Sequence, residues 1–141
     1  MIDISAQEQA IERLKESLHY AASPLAQQDA GLARQFMASS IQAFEFTYEL
    51  AHKMLKRYLE ATEASPASID AMSFQELIRT GAEKGLLQHS WDQWKHYRHF
   101  RSVTSHSYNE KKAEEVFEHI PAFLQEAEFL HDQIKKRQAG A

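Results

Sequence analysis

Residues 41–60 read IQAFEFTYELAHKMLKRYLE, and the spacing of their apolar side chains decides the fold class. Ile41, Phe44, Tyr48, Ala51, Leu55 and Tyr58 follow alternating steps of three and four, which lines them up on one stripe of an α-helix and on no face of a strand. With Met37 upstream, the pattern predicts one helix over 30–61. A second stripe, Phe36, Ala43, Leu50 and Met54, widens the apolar face beyond what one neighbouring helix covers. This helix is therefore expected to be central to a bundle, or to dimerise as well.

The rest of the chain agrees with a helical architecture. Four glycines and three prolines leave little turn chemistry for a β-protein. Ser5/Glu8, Ser73/Glu76, Ser90/Gln93 and Ser107/Glu110 each have the capping-box spacing, in which a hydroxyl and an acid or amide satisfy orphan backbone donors. Apolar periodicity predicts further helices over 6–22 (Ile11, Leu14, Leu18, Ala21), 74–84 with Gly85 as its C-terminal stop, and 91–101. The last helix is expected over 108–136, with Phe117, Ile120, Leu124, Ala127, Leu130 and Ile134 inward and a kink or break near Pro121. SPLAQQD (23–29) and TEASPASIDAM (62–72) read as loops. The expected fold is all-α: one domain over 1–138, an antiparallel up-and-down bundle of about five helices, with a frayed tail at 139–141.

At 141 residues the chain is large enough to bury roughly two-thirds of its unfolded surface in one core. No apolar run approaches the roughly 20 residues that span a bilayer, and MIDISAQEQAIERLKE lacks a basic start followed by an apolar stretch. A cytoplasmic protein with no membrane partner is expected. The absence of cysteine excludes disulfides, thiol nucleophiles and cysteine-ligated zinc. Sixteen Lys and Arg against 20 Asp and Glu, a net charge of −4, mean that bulk charge will not draw the molecule to polyanions. A nucleic-acid role requires a local basic patch.

Residues 91–101, WDQWKHYRHFR, supply one: four aromatics, three Lys or Arg, two histidines and a single acid. The aromatics recur every third residue, so Trp91 and Phe100 fall on opposite sides of a helix. One interpretation places some in the core and the rest in a dimer interface. Another makes them a surface of rings and guanidinium groups that stacks on unpaired bases, with Lys95 and Arg98 as supporting contacts.

The next residues, RSVTSHSY (101–108), are poor helix formers ahead of the Ser107/Glu110 box, so a turn is expected here. Such a turn would bring Arg101 and His106 around one cavity at a helix N-terminus, a favourable place for a phosphate. Arg101 would hold phosphate oxygens through its guanidinium fork, and His106 would exchange a proton near neutral pH. Ser102 and Ser105 would add phosphate contacts. Together they could drive attack of an RNA 2′-hydroxyl on its own phosphate without a metal. The same spacing also suits a plain capped helix junction.

The segment R-x-x-x-x-H-x-Y, present as Arg101, His106 and Tyr108, resembles the signature of HEPN domains. Residues 41–60 and TSHSYNEKKAEEVFEHI (104–120) resemble the subfamily of nucleotidyltransferase substrate-binding proteins. That resemblance implies an α-helical bundle, usually a homodimer with two copies of Arg101 and His106 at its cleft, assembled with a minimal nucleotidyltransferase partner. Some relatives with the full motif are metal-independent RNase toxins, which the partner neutralises by adenylylating the tyrosine that maps to Tyr108. Ser102 stands where relatives often carry Asn, and Phe100 where they can carry Asp; both departures bear on catalysis more than on fold.

Three functions follow: a substrate-binding subunit of a two-component, toxin-antitoxin-like pair with an RNA or nucleotide ligand; a metal-independent RNase using Arg101 and His106; or a non-catalytic structural dimer. The chain has no glycine-rich ATP loop and no Gly-Ser with paired aspartates, so it is not expected to transfer nucleotides itself, and no cofactor is expected.

Glu16/His19, Glu49/His52 and Glu128/His131 have the Glu-x-x-His spacing of carboxylate-bridged di-metal bundles. Glu49 and His52, however, lie with Glu45 and Lys56 on the polar side of their helix, and Glu16 lies off the Leu14/Leu18 stripe. Asp92, His96 and His99 could meet on one helix face and catch a divalent ion adventitiously. Neither pattern is expected to form a resident metal site.

Overall fold

The stripe on residues 41–58 is buried along its whole length: Ile41, Phe44, Tyr48, Ala51, Leu55 and Tyr58 all lie in the core. The computed structural model describes residues 1–140. Their elements are α1 (Ser5–Ala21), α2 (Pro24–Gln28), α3 (Ala30–Thr62), α4 (Pro66–Asp70), α5 (Phe74–Glu83), α6 (Trp91–Val103), a 3-10 turn (Thr104–His106) and α7 (Glu110–Ala139). The fold is an all-α bundle. Its central element is α3, which contacts each of the other six helices.

Four long helices alternate in direction. Thr47 Oγ1 lies 3.3 Å from Ala10 O, and the Ser17 and Ser39 hydroxyls meet at 3.0 Å, so α1 runs against α3. Trp94 meets Glu126 and His99 meets Glu115, so α6 runs against α7. In the connection between α3 and α6, α5 runs alongside α3 in the same direction: Phe74 packs near Tyr48, Gly81 sits against Leu55, and Lys84 pairs with Glu63.

Helix ends follow the capping chemistry, though not always at the expected residue. Ser73 accepts from Glu76 N at 3.2 Å, and Gly85, at φ 74°, closes α5. Leu86 N donates to Gly81 O and Gly85 N to Ala82 O, the paired bonds of a left-handed glycine terminus. Ser90 holds the cap position of α6 but makes no side-chain cap bond.

The other two boxes are corrected. Ser5 is the first residue of α1, and its hydroxyl donates to Asp3 Oδ1 at 2.7 Å. The last helix starts at Glu110 because Asn109, not Ser107, accepts from Lys112 N at 3.2 Å. An amide oxygen caps as well as a hydroxyl does, and the 3-10 turn already engages Ser107 through its N–H to Thr104 O. An unread cap lies at Asp29, whose carboxylate accepts from Gly31 N and Leu32 N to start α3.

Prolines modify the expected loops and helices. Pro24 and Pro66 open short helices inside the two segments read as loops, because a helix's first turn needs no proline N–H. Pro121 leaves α7 unbroken and sits on its exposed side. Ala139 ends α7, whose last turn is clipped to the chain start by Gln138 on both Ile2 N (2.8 Å) and Ile2 O (3.3 Å). Ala141 lies outside the described residues.

Edge-to-face aromatics form the centre. Phe123 of α7 meets Phe44 (5.2 Å, 90°), Trp94 (5.7 Å, 83°) and Tyr97 (5.2 Å, 77°). Such pairs contribute about 0.5–1.5 kcal/mol each beyond the area they bury. Trp94, Tyr97 and Phe100 are buried, and Trp91 is half-buried against Phe74. The ring surface considered for base stacking is thus absorbed into the fold. α6 lies against α3, α5 and α7 together, so the core receives a wider arc of its side chains than one neighbour could.

Candidate functional site

At the end of α6 the chain meets a buried threonine that shapes the site. Thr104 Oγ1 donates to Arg101 O at 2.6 Å and accepts from Arg101 Nη1 at 3.1 Å, holding the guanidinium to its own backbone turn. Two carboxylates of α3 face the same group: Glu49 Oε1 is 3.1 Å from Arg101 Nε, and Glu45 Oε2 is 3.7 Å from Nη1. The acids placed on the polar side of the α3 sequence are therefore the ones that anchor Arg101. Spacing could not reveal this pairing, because the partners are 52 residues apart.

The expected turn is present, as a 3-10 turn ending at His106. His106 is exposed, and its ring meets that of Tyr108 edge-on at 6.2 Å. Tyr108 is 87% exposed, the outlier among five tyrosines. Burial pushes the phenols of Tyr48 and Tyr97 up to about 12. Tyr58 is buried, and Tyr20 packs against Phe36. Tyr108 is thus the phenol most open to a reagent.

The supporting residues are placed differently from one another. Ser102 donates to His99 O (2.6 Å) and Ser105 to Ser102 O (3.0 Å), so a phosphate would have to displace backbone bonds to gain either donor. Arg98 lies over the Phe74 ring at 5.5 Å. Lys95, His96, Arg98 and His99 make the exposed face of α6. The open groove beside the turn is lined by Ser107, Tyr108, residues of α3, and Glu110 and Ala113 of α7, and not by Arg101 or His106. Asn109 and Glu110 occupy the start of α7 where an anion was expected.

Among the described residues no three His, Asp or Glu side chains converge as a metal site requires. Of the three Glu-x-x-His pairs, Glu49 serves Arg101, and His52 packs its ring on Phe74 at 4.7 Å. Burial lowers the His52 imidazole below its ordinary range. No helix among the described residues is long and apolar enough to cross a membrane.

Sequence reasoning missed Glu126, a fully buried carboxylate of α7. It accepts from Gln88 N and His89 N, each at 2.8 Å, and from Trp94 Nε1 at 3.1 Å. It fixes the chain entering α6, and hence the direction in which Arg101 emerges.

Residues 2–136 match the family described as nucleotidyltransferase substrate binding protein like. The Haemophilus influenzae protein named "Probable ribonuclease HepT" is 39% identical over 101 residues, 72% of this chain and 68% of that protein. A solved Haemophilus influenzae structure, reported to reveal the fold of a substrate binding domain of a nucleotidyltransferase, aligns over 94% of this chain and 99% of its own, with a TM-score of 0.88 and 30% identity. A Thermus thermophilus crystal structure aligns over 90% and 97%, with a TM-score of 0.66 and 28% identity.

Proposed function

The chain belongs to the nucleotidyltransferase substrate-binding protein family, and from that premise we propose that it is the HEPN-type subunit of a two-component system, presenting Tyr108 to a minimal nucleotidyltransferase. The observation that carries this is the 87% exposure of Tyr108 beside His106, on a short turn held between two anchored helices. The Tyr108 oxygen attacks the α-phosphorus of ATP held by the partner. An O–P bond forms, the bond to the β-phosphate bridging oxygen breaks, pyrophosphate leaves, and the phenolic proton passes to a base or water. The chain acts as a homodimer, with Arg101 and His106 of each copy near the shared cleft, and it works in the cytoplasm.

A second activity is favoured by the likeness to the protein named for a ribonuclease. In it the 2′-oxygen of an RNA nucleotide attacks the adjacent phosphorus while the bond to the 5′-oxygen breaks, leaving a 2′,3′-cyclic phosphate and a 5′-hydroxyl. His106 moves the proton, and Arg101 stabilises the charge on the phosphoryl oxygens. Lys95 and Arg98 support the strand.

Two assays test this. Incubation with the partner and ATP is expected to add one adenylyl group to Tyr108 by mass spectrometry, and none to Tyr108→Phe; modification elsewhere, or none, sinks the acceptor role. Cleavage of a structured RNA in EDTA that vanishes with His106→Ala establishes the RNase, and no cleavage by folded protein removes it.

A further inference from the structure

Glu128 and His131, the third Glu-x-x-His pair, line a cavity of about 160 Å³ between α1 and α7 that neither Arg101 nor Tyr108 borders. At one corner Lys15 Nζ lies 3.0 Å from Glu128 Oε2 and 3.7 Å from Glu12 Oε1, so those carboxylates already face a cation of the chain. The corner at His131 differs. His131 is 7% exposed, and its Nε2 makes no hydrogen bond. Glu8 Oε2 stands 3.9 Å from Nε2, too far to bond it. Nδ1 lies 3.6 Å from Asp132 Oδ1, which favours the proton on that nitrogen and leaves the Nε2 lone pair facing Glu8. A buried acceptor left without a donor costs free energy, and what this one lacks is an N–H between it and Glu8. A nitrogen about 2.9 Å from each bridges the gap. The Glu8 side chain is 55% exposed, so it can swing aside to admit one.

We propose that this cavity seats the ammonium head of a small linear diamine, of the polyamine class. The head donates to His131 Nε2, Glu8 and Glu12, three N–H groups for three acceptors, while the methylene chain runs over Ile11. Four carboxylates and two lysines line the cavity, an excess that suits a ligand with two positive charges. The volume is below the roughly 300 Å³ at which ordinary small-ligand sites begin, which excludes a nucleotide and admits a narrow alkyl chain. A directly coordinated metal is disfavoured, because no three His, Asp or Glu side chains among the described residues converge on one point. This site is independent of the function proposed for Tyr108.

The probe is putrescine, 1,4-diaminobutane, with 1,4-butanediol as a control of the same length without charge. In protein labelled with 15N in the histidine rings, at pH 8 and fixed ionic strength, putrescine is expected to shift the His131 Nε2 resonance saturably and to leave His106 in place. The diol is expected to move neither. His131→Gln identifies the resonance.

Glu8→Gln carries the decision, because Glu8 is exposed and its change leaves the core intact. It is expected to weaken putrescine about fivefold or more. Glu118→Gln, an exposed acid of α7 outside the cavity, leaves binding unchanged. Circular dichroism of each variant checks that the fold is kept. His131 unmoved by putrescine, moved equally by the diol, or moved with undiminished affinity in Glu8→Gln overturns the seat. A shift with zinc and none with putrescine makes the cavity a metal site and overturns it as well.

Discussion

Arg101 Nε lies 3.1 Å from Glu49 Oε1, so the guanidinium proposed to receive phosphate rests on a carboxylate of the central helix. Glu45 reinforces the arrangement from one helical turn away. A phosphate approaching Arg101 must therefore compete with fixed negative charge. Removing that charge should open the site.

Glu49→Gln is accordingly expected to tighten binding of a short single-stranded RNA by about fivefold at low salt, read by fluorescence anisotropy. The gain should shrink as salt rises. Stability should change by no more than about 1 kcal/mol, because the pair is partly exposed. Weaker binding in the variant would show that Glu49 positions Arg101 productively instead.

Glu126→Gln tests the buried clamp beneath α6. Three donors converge on this carboxylate, and an amide sets a donor of its own among them. A loss of about 1–3 kcal/mol in urea denaturation is expected. An unchanged midpoint would mean that the entry to α6 is held by packing alone.

His52 makes stability depend on pH. Burial against Phe74 keeps its imidazole below the ordinary 6.5 in the folded state, so below that pH the unfolded chain takes up the proton more readily. Its contribution is constant above about 6.5 and turns unfavourable as pH falls further. His52→Phe should flatten the drop in denaturation midpoint between pH 7.5 and 5.5; equal slopes for variant and parent would refute this.

Gly85→Ala tests the left-handed terminus of α5. At φ 74° a Cβ costs about 1–2 kcal/mol, and it would also approach Arg137 Nη2 at 3.1 Å. A lower melting temperature is expected. Gly85→Asn should lose less, because asparagine tolerates this region better.

Much of this molecule was legible in the local order of its residues. The step of three and four through Ile41, Phe44, Tyr48 and Ala51 specified a buried helix, since only that geometry brings those side chains onto one face. Gly85 and Ser73 marked real helix ends because capping is settled within a few residues. The turn between Arg101 and His106 was readable for the same reason.

Tertiary structure decided what depends on partners distant in sequence. Whether the aromatics of α6 faced solvent or core was settled by α3, α5 and α7 closing around it. The same closure put Glu126 at the head of α6 and brought Glu49 to Arg101 across 52 residues. Periodicity reports which side of a helix is apolar, but a charge or a ring finds its partner only when separate helices pack, and that is where the surroundings of Arg101 are set.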